Sequence, residues 1–208
     1  MRRASTEKIP PGVARRRERE RRELRLLDEW VLEVLERLLV GETISLDLVN
    51  TEWVDHGGTV DFLAADGAPE LWLREYGFDP AEEDVDALRS TRTAIRSLLD
   101  SPGPEADARM NDVLAHGYER TSVAGGRPVT TSEVDPGWGA AWQTARAFTE
   151  LVATHPDRIR QCAHPDCVLY FYDTSRNGRR RWHSMETCGA RTKSARHYRR
   201  HVIDEKAE

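Results

Sequence analysis

Four residues near the C-terminus of this 208-residue chain have the types and spacing to hold a metal ion. Cys162, Cys167 and Cys188 are the chain's three cysteines, and His183 falls between the last two. The pattern reads Cys162-x4-Cys167-x15-His183-x4-Cys188. Two close pairs of soft ligands separated by a loop suit tetrahedral zinc: each pair comes from one local turn, and the loop lets the pairs face each other. Four protein ligands close the coordination sphere, so one such ion is structural; a catalytic zinc keeps a position open for water. His164, inside the first turn, is the alternative fourth ligand, with His197 and His201 behind it. No H-E-x-x-H, no H-x-E with P-C-x-x-C and no nucleophile elbow is present, so an enzyme is not expected.

The elements around these ligands must bring them together. Ala163 to Asp166 is a turn-prone segment that can wrap two thiolates round one ion. Val168 to Tyr172 is apolar and β-prone, Arg176-Asn177-Gly178 supplies a turn, and Arg180 to His183 returns. That order predicts a short hairpin between the ligand pairs. Ser184 suits an N-cap, so a helix starts near Met185 and carries Cys188 in its first turn. Phe171, Trp182 and Met185 are the expected miniature core, with the metal bonds replacing the burial so small a fragment lacks.

The charge is divided unevenly. The chain carries a net charge of −5, yet residues 176–201 hold eight Arg and one Lys against a single acid, Glu186. Residues 1–25 hold ten basic and four acidic groups, so the remaining body is strongly acidic. A polyanion is therefore steered to the metal window and not to the body. The candidate contacts are Arg176, Arg179, Arg180 and Arg181 in the loop, and Arg191, Lys193, Arg196, Arg199 and Arg200 on the following helix. Lys193, Arg196 and Arg200 share one face of it. Such a set neutralises phosphates; the competing role is a zinc-stabilised protein-interaction module whose basic face docks on acidic surface.

Upstream, the chain reads as mainly helical. After a start broken by Pro10, Pro11 and Gly12, helix-forming residues run from Val13 to Val40. Leu24, Leu27, Trp30, Val31, Val34, Leu35 and Leu38 form an apolar stripe, and Gly41 ends the element. This is a docking or homodimerisation helix. Short helices are expected over Glu70–Tyr76, Pro80–Asp100 with Asp79 as N-cap, Glu105–Tyr118 and Trp138–Ala153. Residues 121–135 form a hairpin about Gly125-Gly126. The fold class is mainly α (α+β): a helical domain with a small β element, then a zinc-stapled hairpin–helix module. The units are an N-terminal extension over 1–43, a helical domain over 44–157, a zinc module over 158–203 and a tail over 204–208. Asp47, Asn50 and Thr51 either line a pocket for a small-molecule effector or satisfy backbone groups at a helix end. No run approaches the ~20 apolar residues of a membrane span. Three cysteines and no leader-like start point to a reducing cytoplasm.

The window resembles the CGNR zinc-finger family. The residues that carry the likeness are Cys162 to Cys167 with Pro165, Phe171, Asp173, Ser175-Arg176, Arg180-Arg181-Trp182, Ser184-Met185, Cys188-Gly189, Arg191 and Lys193. Leu46-Asp47-Leu48-Val49-Asn50-Thr51 resembles the start of the helical ABATE domain that precedes this finger. The resemblance implies a bacterial, stress-responsive transcription regulator with the finger as its DNA-binding element. The chain departs from the pattern twice: His183 stands where the family has a fourth Cys, and Ala190 where it has the Asn of its name. The first keeps a good zinc ligand with one charge fewer; the second removes a polar side chain from the recognition end.

Overall fold

A computed structural model describes residues 37–55 and 57–194. The amphipathic N-terminal segment, any dimer built on it, Arg196, Arg199, Arg200, His197, His201 and the tail lie outside these residues.

The hub is a very short helix, α1 (Ile44–Val49), in which Ser45 through Val49 are all buried. A six-residue helix cannot stand on its own propensity; it exists because apolar elements surround it. Leu46 and Val49 enter one core with Ala94, Ile95, Met110, Val113, Ala145, Phe148 and Tyr170. Leu48 enters a second core with Trp53, Phe62, Leu63, Trp72, Leu73, Leu88, Ala141 and Leu169. These cores are built by α2 (Ala68–Glu75), α3 (Val85–Asp100), α4 (Pro104–Leu114) and α5 (Gly139–Thr154), with α1 packed on α3, α5 and a strand of the metal module.

Three differences from the expected elements have local causes. The helix expected from Pro80 begins at Val85: Asp79 caps only a 3-10 turn, Pro80–Glu82, and Asp84 caps α3 by accepting from the Asp86 N–H at 2.8 Å. The Asp84 N–H is held by the Gly137 carbonyl at 2.9 Å, which pins the break between turn and helix. The segment after Thr51, read as loop, is a hairpin of β1 (Glu52–Asp55) and β2 (Gly58–Asp61). The helical reading through Val40 stops short, because residues 37–43 are irregular.

The predicted hairpin about Gly125-Gly126 is present as β3 (Gly117–Ala124) and β4 (Arg127–Val134). Both glycines sit at positive φ, 59° and 75°, as a two-residue turn matched to strand twist requires. Its base is fixed by close approach: a Cβ on Gly117 would lie 2.8 Å from the Trp142 indole. Among the described residues no helix is long and apolar enough to cross a membrane.

Candidate metal centre and nucleic-acid interface

The metal module is built on a two-stranded sheet, but not the predicted one. β6 (Tyr170–Tyr172) pairs antiparallel with β5 (Ile159–Gln161), which precedes Cys162, and not with Arg180–His183. The first cysteine pair therefore lies in the connection between the two strands. The Cys162 N–H donates to the Leu169 carbonyl at 2.9 Å, and the Cys167 N–H to the His164 carbonyl at 3.0 Å. The returning chain attaches through the Ala163 N–H to the Arg181 carbonyl at 2.8 Å. Ser184 caps the last ligand turn, its hydroxyl accepting from the Thr187 N–H at 3.2 Å. That turn is a π-turn, Met185–Gly189, closed by the Gly189 N–H on the Ser184 carbonyl at 3.0 Å, and it carries Cys188 inward. Met185, expected in the miniature core, is 51 % exposed; the core function passes to Leu169 and Tyr170, which belong to the cores of the body.

These elements bring the Cys162, Cys167 and Cys188 sulfurs and a His183 ring nitrogen within 4.8 Å of one another. His183 Nδ1 lies 3.5 Å from Cys167 Sγ. Zinc–sulfur and zinc–nitrogen bonds of ~2.3 and ~2.0 Å at tetrahedral angles give edges of about 3.5–3.8 Å, so the cluster has the right scale. His164 is not in the cluster; its Nδ1 accepts from the Asp166 N–H at 3.3 Å.

The thiols themselves call for a cation. The hydrogen bond from Cys167 pulls the Cys162 thiol down to about 3. The same hydrogen bond, together with burial, pushes the Cys167 thiol up. Burial and the neighbouring Cys162 charge push Cys188 up. Left to themselves, three crowded sulfurs settle on one negative charge; a divalent ion among them lets all three ionise. Cys162, Cys167, His183 and Cys188 thus fit one structural zinc.

Around the site, arginine has two kinds of role. Arg158 donates to the carbonyls of Asp173 and Ser175 at 3.1 and 2.6 Å, and Arg160 to Gly178 at 2.7 Å. Arg180 lies over the Phe171 ring at 4.7 Å and donates to the Trp182 and His183 carbonyls. Arg180, expected among the phosphate contacts, is therefore a brace holding the metal-ligand His in place. Arg158 and Arg160 had no sequence signal beyond their position before Cys162. Asp173 is fully buried and accepts from the Ser175 and Arg180 N–H groups, both at 2.9 Å. Burial pushes its carboxyl up, but those hydrogen bonds and the Arg158 charge outweigh it and hold it below the usual range. By contrast, Arg176, Arg179, Arg181, Arg191 and Lys193 are exposed. None of the five forms an ion pair among the described residues, and Arg181 only lies over the Trp182 ring.

The three residues considered for an effector pocket are interior. Asp47, Asn50 and Thr51 are at most 1 % exposed. Asp47 accepts from Trp72 Nε1 at 2.9 Å and pairs with Arg37 at 2.5 Å. Burial nevertheless pushes its carboxyl up, against the Arg37 charge. The Thr51 hydroxyl donates to the Leu48 carbonyl at 2.7 Å and accepts from Arg92 at 3.0 Å. Asn50 reaches across 120 residues to the metal module: its Nδ2 donates to the Tyr170 carbonyl at 2.8 Å, and its Oδ1 accepts the Tyr170 N–H at 2.9 Å. Every one of these residues is turned to a protein partner, which leaves no wall of an open pocket to form.

Residues 42–155, more than half of the chain, match the ABATE family, described as "Putative stress-induced transcription regulator". The chain belongs to the ABATE family. Residues 158–201 match the CGNR zinc finger, so the ABATE domain and finger follow one another in the predicted order. No curated protein matches the chain. The Asn50 clasp gives the family's opening segment a physical task in this chain: the ABATE domain grips the finger through backbone-like hydrogen bonds. Glu42 adds a second grip, accepting the Tyr172 N–H at 2.8 Å, and the Tyr170 hydroxyl donates to Asp100. Ala190, at the position of the family Asn, is exposed beside the last ligand turn.

Proposed function

We propose that this ABATE protein is a DNA-binding transcription regulator whose zinc finger holds duplex DNA through backbone phosphates, without catalytic activity. The observation that carries this is the exposed set Arg176, Arg179, Arg181, Arg191 and Lys193, free of ion pairs among the described residues. If the finger were a module docked on its own acidic body, these are the charges the acids would have consumed. Instead, the finger docks through apolar strand residues and hydrogen bonds made by the main chain and hydroxyl of β6, and the guanidinium groups of Arg176, Arg179, Arg181 and Arg191 stay available. Lys and Arg on phosphates give affinity and position without sequence information, so specificity would need at least one Arg aimed at a base edge. A closed Cys3His site leaves zinc no open position for water, which supports the non-enzymatic reading.

The test is a salt titration of the zinc-loaded chain on duplex DNA. Five phosphate contacts give a slope of log affinity against log salt of about −4 to −5. Binding undetectable at low salt, or a slope near zero, would overturn the reading in favour of a protein-interaction module.

A further inference from the structure

A cleft of about 460 Å³ opens on the ABATE domain between α3, α4 and the start of β1. One face of α3 lines it with Arg92, Arg96 and Asp100, spaced four residues apart. One face of α4 adds Glu105 and Arg109, and β1 adds Glu52. Arg92 is spent within the protein: Asp61 takes its two Nη atoms at 2.5 and 2.7 Å, and Nη1 also donates to Thr51 at 3.0 Å. The other charges are not closed on one another. The Glu52 carboxylate lies 3.7 Å from Arg92 and 4.0 Å from Arg96, too far to hydrogen-bond to either. Arg96 Nη2 donates to the Val49 and Glu52 carbonyls at 2.8 and 3.1 Å, but its Nε is buried without an acceptor. A buried donor left open is rare, and it marks a place where a further group completes the bonding. Glu105 and Arg109 are exposed and form no ion pair among the described residues. No side chain caps the first turn of α4, where Glu105 and Ala106 border the cleft.

We propose that this cleft is an effector site for a small zwitterion, a molecule that carries one ammonium and one carboxylate as a free amino acid does. With Arg92 set against Asp61, the walls hold the guanidinium groups of Arg96 and Arg109 and the carboxylates of Glu52, Asp100 and Glu105. An anion alone would face those carboxylates, and a cation alone would face the guanidinium groups. A zwitterion pairs with both signs: its carboxylate with Arg109 and the uncapped first turn of α4, its ammonium with Glu52 and Asp100. The volume is in the range of small-molecule sites and holds an amino acid together with its side chain. The fold also gives the site an outlet. Asp100 accepts the Tyr170 hydroxyl, and Tyr170 is the finger residue that Asn50 clasps. One residue earlier, the Leu169 carbonyl holds the Cys162 N–H at 2.9 Å. An ammonium that orders the Asp100 carboxylate therefore steadies the strand on which the first zinc ligand hangs. The site is independent of what the finger itself binds.

The experiment uses the full-length zinc-loaded chain and ligand-observed saturation-transfer NMR. The probes are the common L-amino acids, without Cys and His because these chelate zinc. Each amino acid that binds is then titrated beside its amine and acid analogues, which lack the carboxylate or the ammonium. The expected result is at least one amino acid with Kd below about 1 mM, with both analogues at least tenfold weaker. Arg109→Gln and Glu105→Gln change exposed side chains, so zinc content and thermal midpoint should match the parent while Arg109→Gln weakens binding at least tenfold. The bound amino acid should also slow zinc loss to a chelator in the parent chain, and not in Tyr170→Phe. No binding from any probe, or full binding by Arg109→Gln, would overturn the site. An analogue that binds as well as its amino acid would overturn the zwitterion. Binding that leaves zinc loss unchanged in the parent would overturn the link to the finger.

Discussion

Replacing Asn50 tests whether the ABATE domain and the finger are one folding unit. Asn50 is 1 % exposed and its two hydrogen bonds to the Tyr170 main chain, 2.8 and 2.9 Å, are buried. Asn50→Ala removes both and leaves a buried N–H and a buried C=O without partners. At about 1–3 kcal/mol for each stranded group, the loss is about 2–6 kcal/mol, a large share of a typical domain stability of ~5–15 kcal/mol. Asn50→Asp should cost more, although it is nearly isosteric. The carboxylate can still accept the Tyr170 N–H, but it has no proton to give the Tyr170 carbonyl, and it buries an unpaired charge. The assay is urea unfolding at fixed zinc, followed by tryptophan fluorescence, together with chelator competition for the metal. Because β6 joins the two cysteine-bearing turns to the body, zinc should also leave both variants faster. Losses below about 0.5 kcal/mol with unchanged zinc release would refute the reasoning, since a surface substitution does no more than that.

Other expectations rest on single sites. His183→Ala should lose the zinc, His183→Cys should keep it as a four-thiolate site, and His164→Ala should keep it unchanged, by metal analysis after gel filtration; retention by His183→Ala would refute the assigned fourth ligand. Converting Arg176, Arg179 and Arg191 to Ala together should flatten the salt slope of DNA binding by about three, whereas Arg180→Ala should lower zinc affinity first. Asp61 holds the buried Arg92 through bonds of 2.5 and 2.7 Å, and although burial pushes its carboxyl up, the Arg92 hydrogen bonds and charge outweigh it and lower it. That stability is present above the unfolded carboxyl pKa of ~3.9 and is lost as pH falls through the lower folded value. Asp61→Asn should therefore cost about 1–3 kcal/mol at neutral pH, with Glu52 remaining 3.7 Å from Arg92, and the gap from the parent chain should narrow below about pH 4. Gly117→Ala drives a Cβ to 2.8 Å from Trp142 and should lower stability by about 1–3 kcal/mol in thermal unfolding.

The parts of this fold that were legible are those fixed by local chemistry. Ligand spacing marked the metal site because zinc accepts few side-chain types, and Ser184 marked the cap that aims Cys188. Gly125-Gly126 marked a turn few other residues permit. Where a choice of partner decided the structure, the sequence was mute. Val168 to Tyr172 reads as a strand, but whether it pairs forward or backward depends on Asp173, which collects the Ser175 and Arg180 N–H groups and ends the strand as a tight turn. The β1–β2 hairpin escaped because four-residue strands show little alternation, and only Trp53 of β1 is buried. The break at Asp84 depends on a carbonyl 53 residues away in sequence, at Gly137. Asp47, Asn50 and Thr51 were recognisable as polar residues with a task, but polar residues that bind a ligand and polar residues that bind the chain's own backbone look the same in one dimension.

The arginines carry that last point furthest. Arg158, Arg160 and Arg180 lie within the most basic quarter of the chain, and charge alone would count them all as phosphate contacts. Each instead directs its donors to main-chain carbonyls, fixing the loop that presents Arg176 and Arg179 and the strand end that presents Arg181. The division has a functional corollary. Neutralising a brace should disturb the metal and the placement of its neighbours, so its effect on DNA binding should vanish when zinc is lost. Neutralising a free arginine should weaken binding by the same factor on any duplex and leave the metal untouched. The same logic bears on the two departures from the family pattern. His183 keeps its ligand nitrogen beside Cys167 and its carbonyl on Arg180, so the site stands without a fourth thiolate. Ala190 is exposed and its methyl group can make no hydrogen bond, so the finger of this chain folds without the polar contact an Asn could offer there.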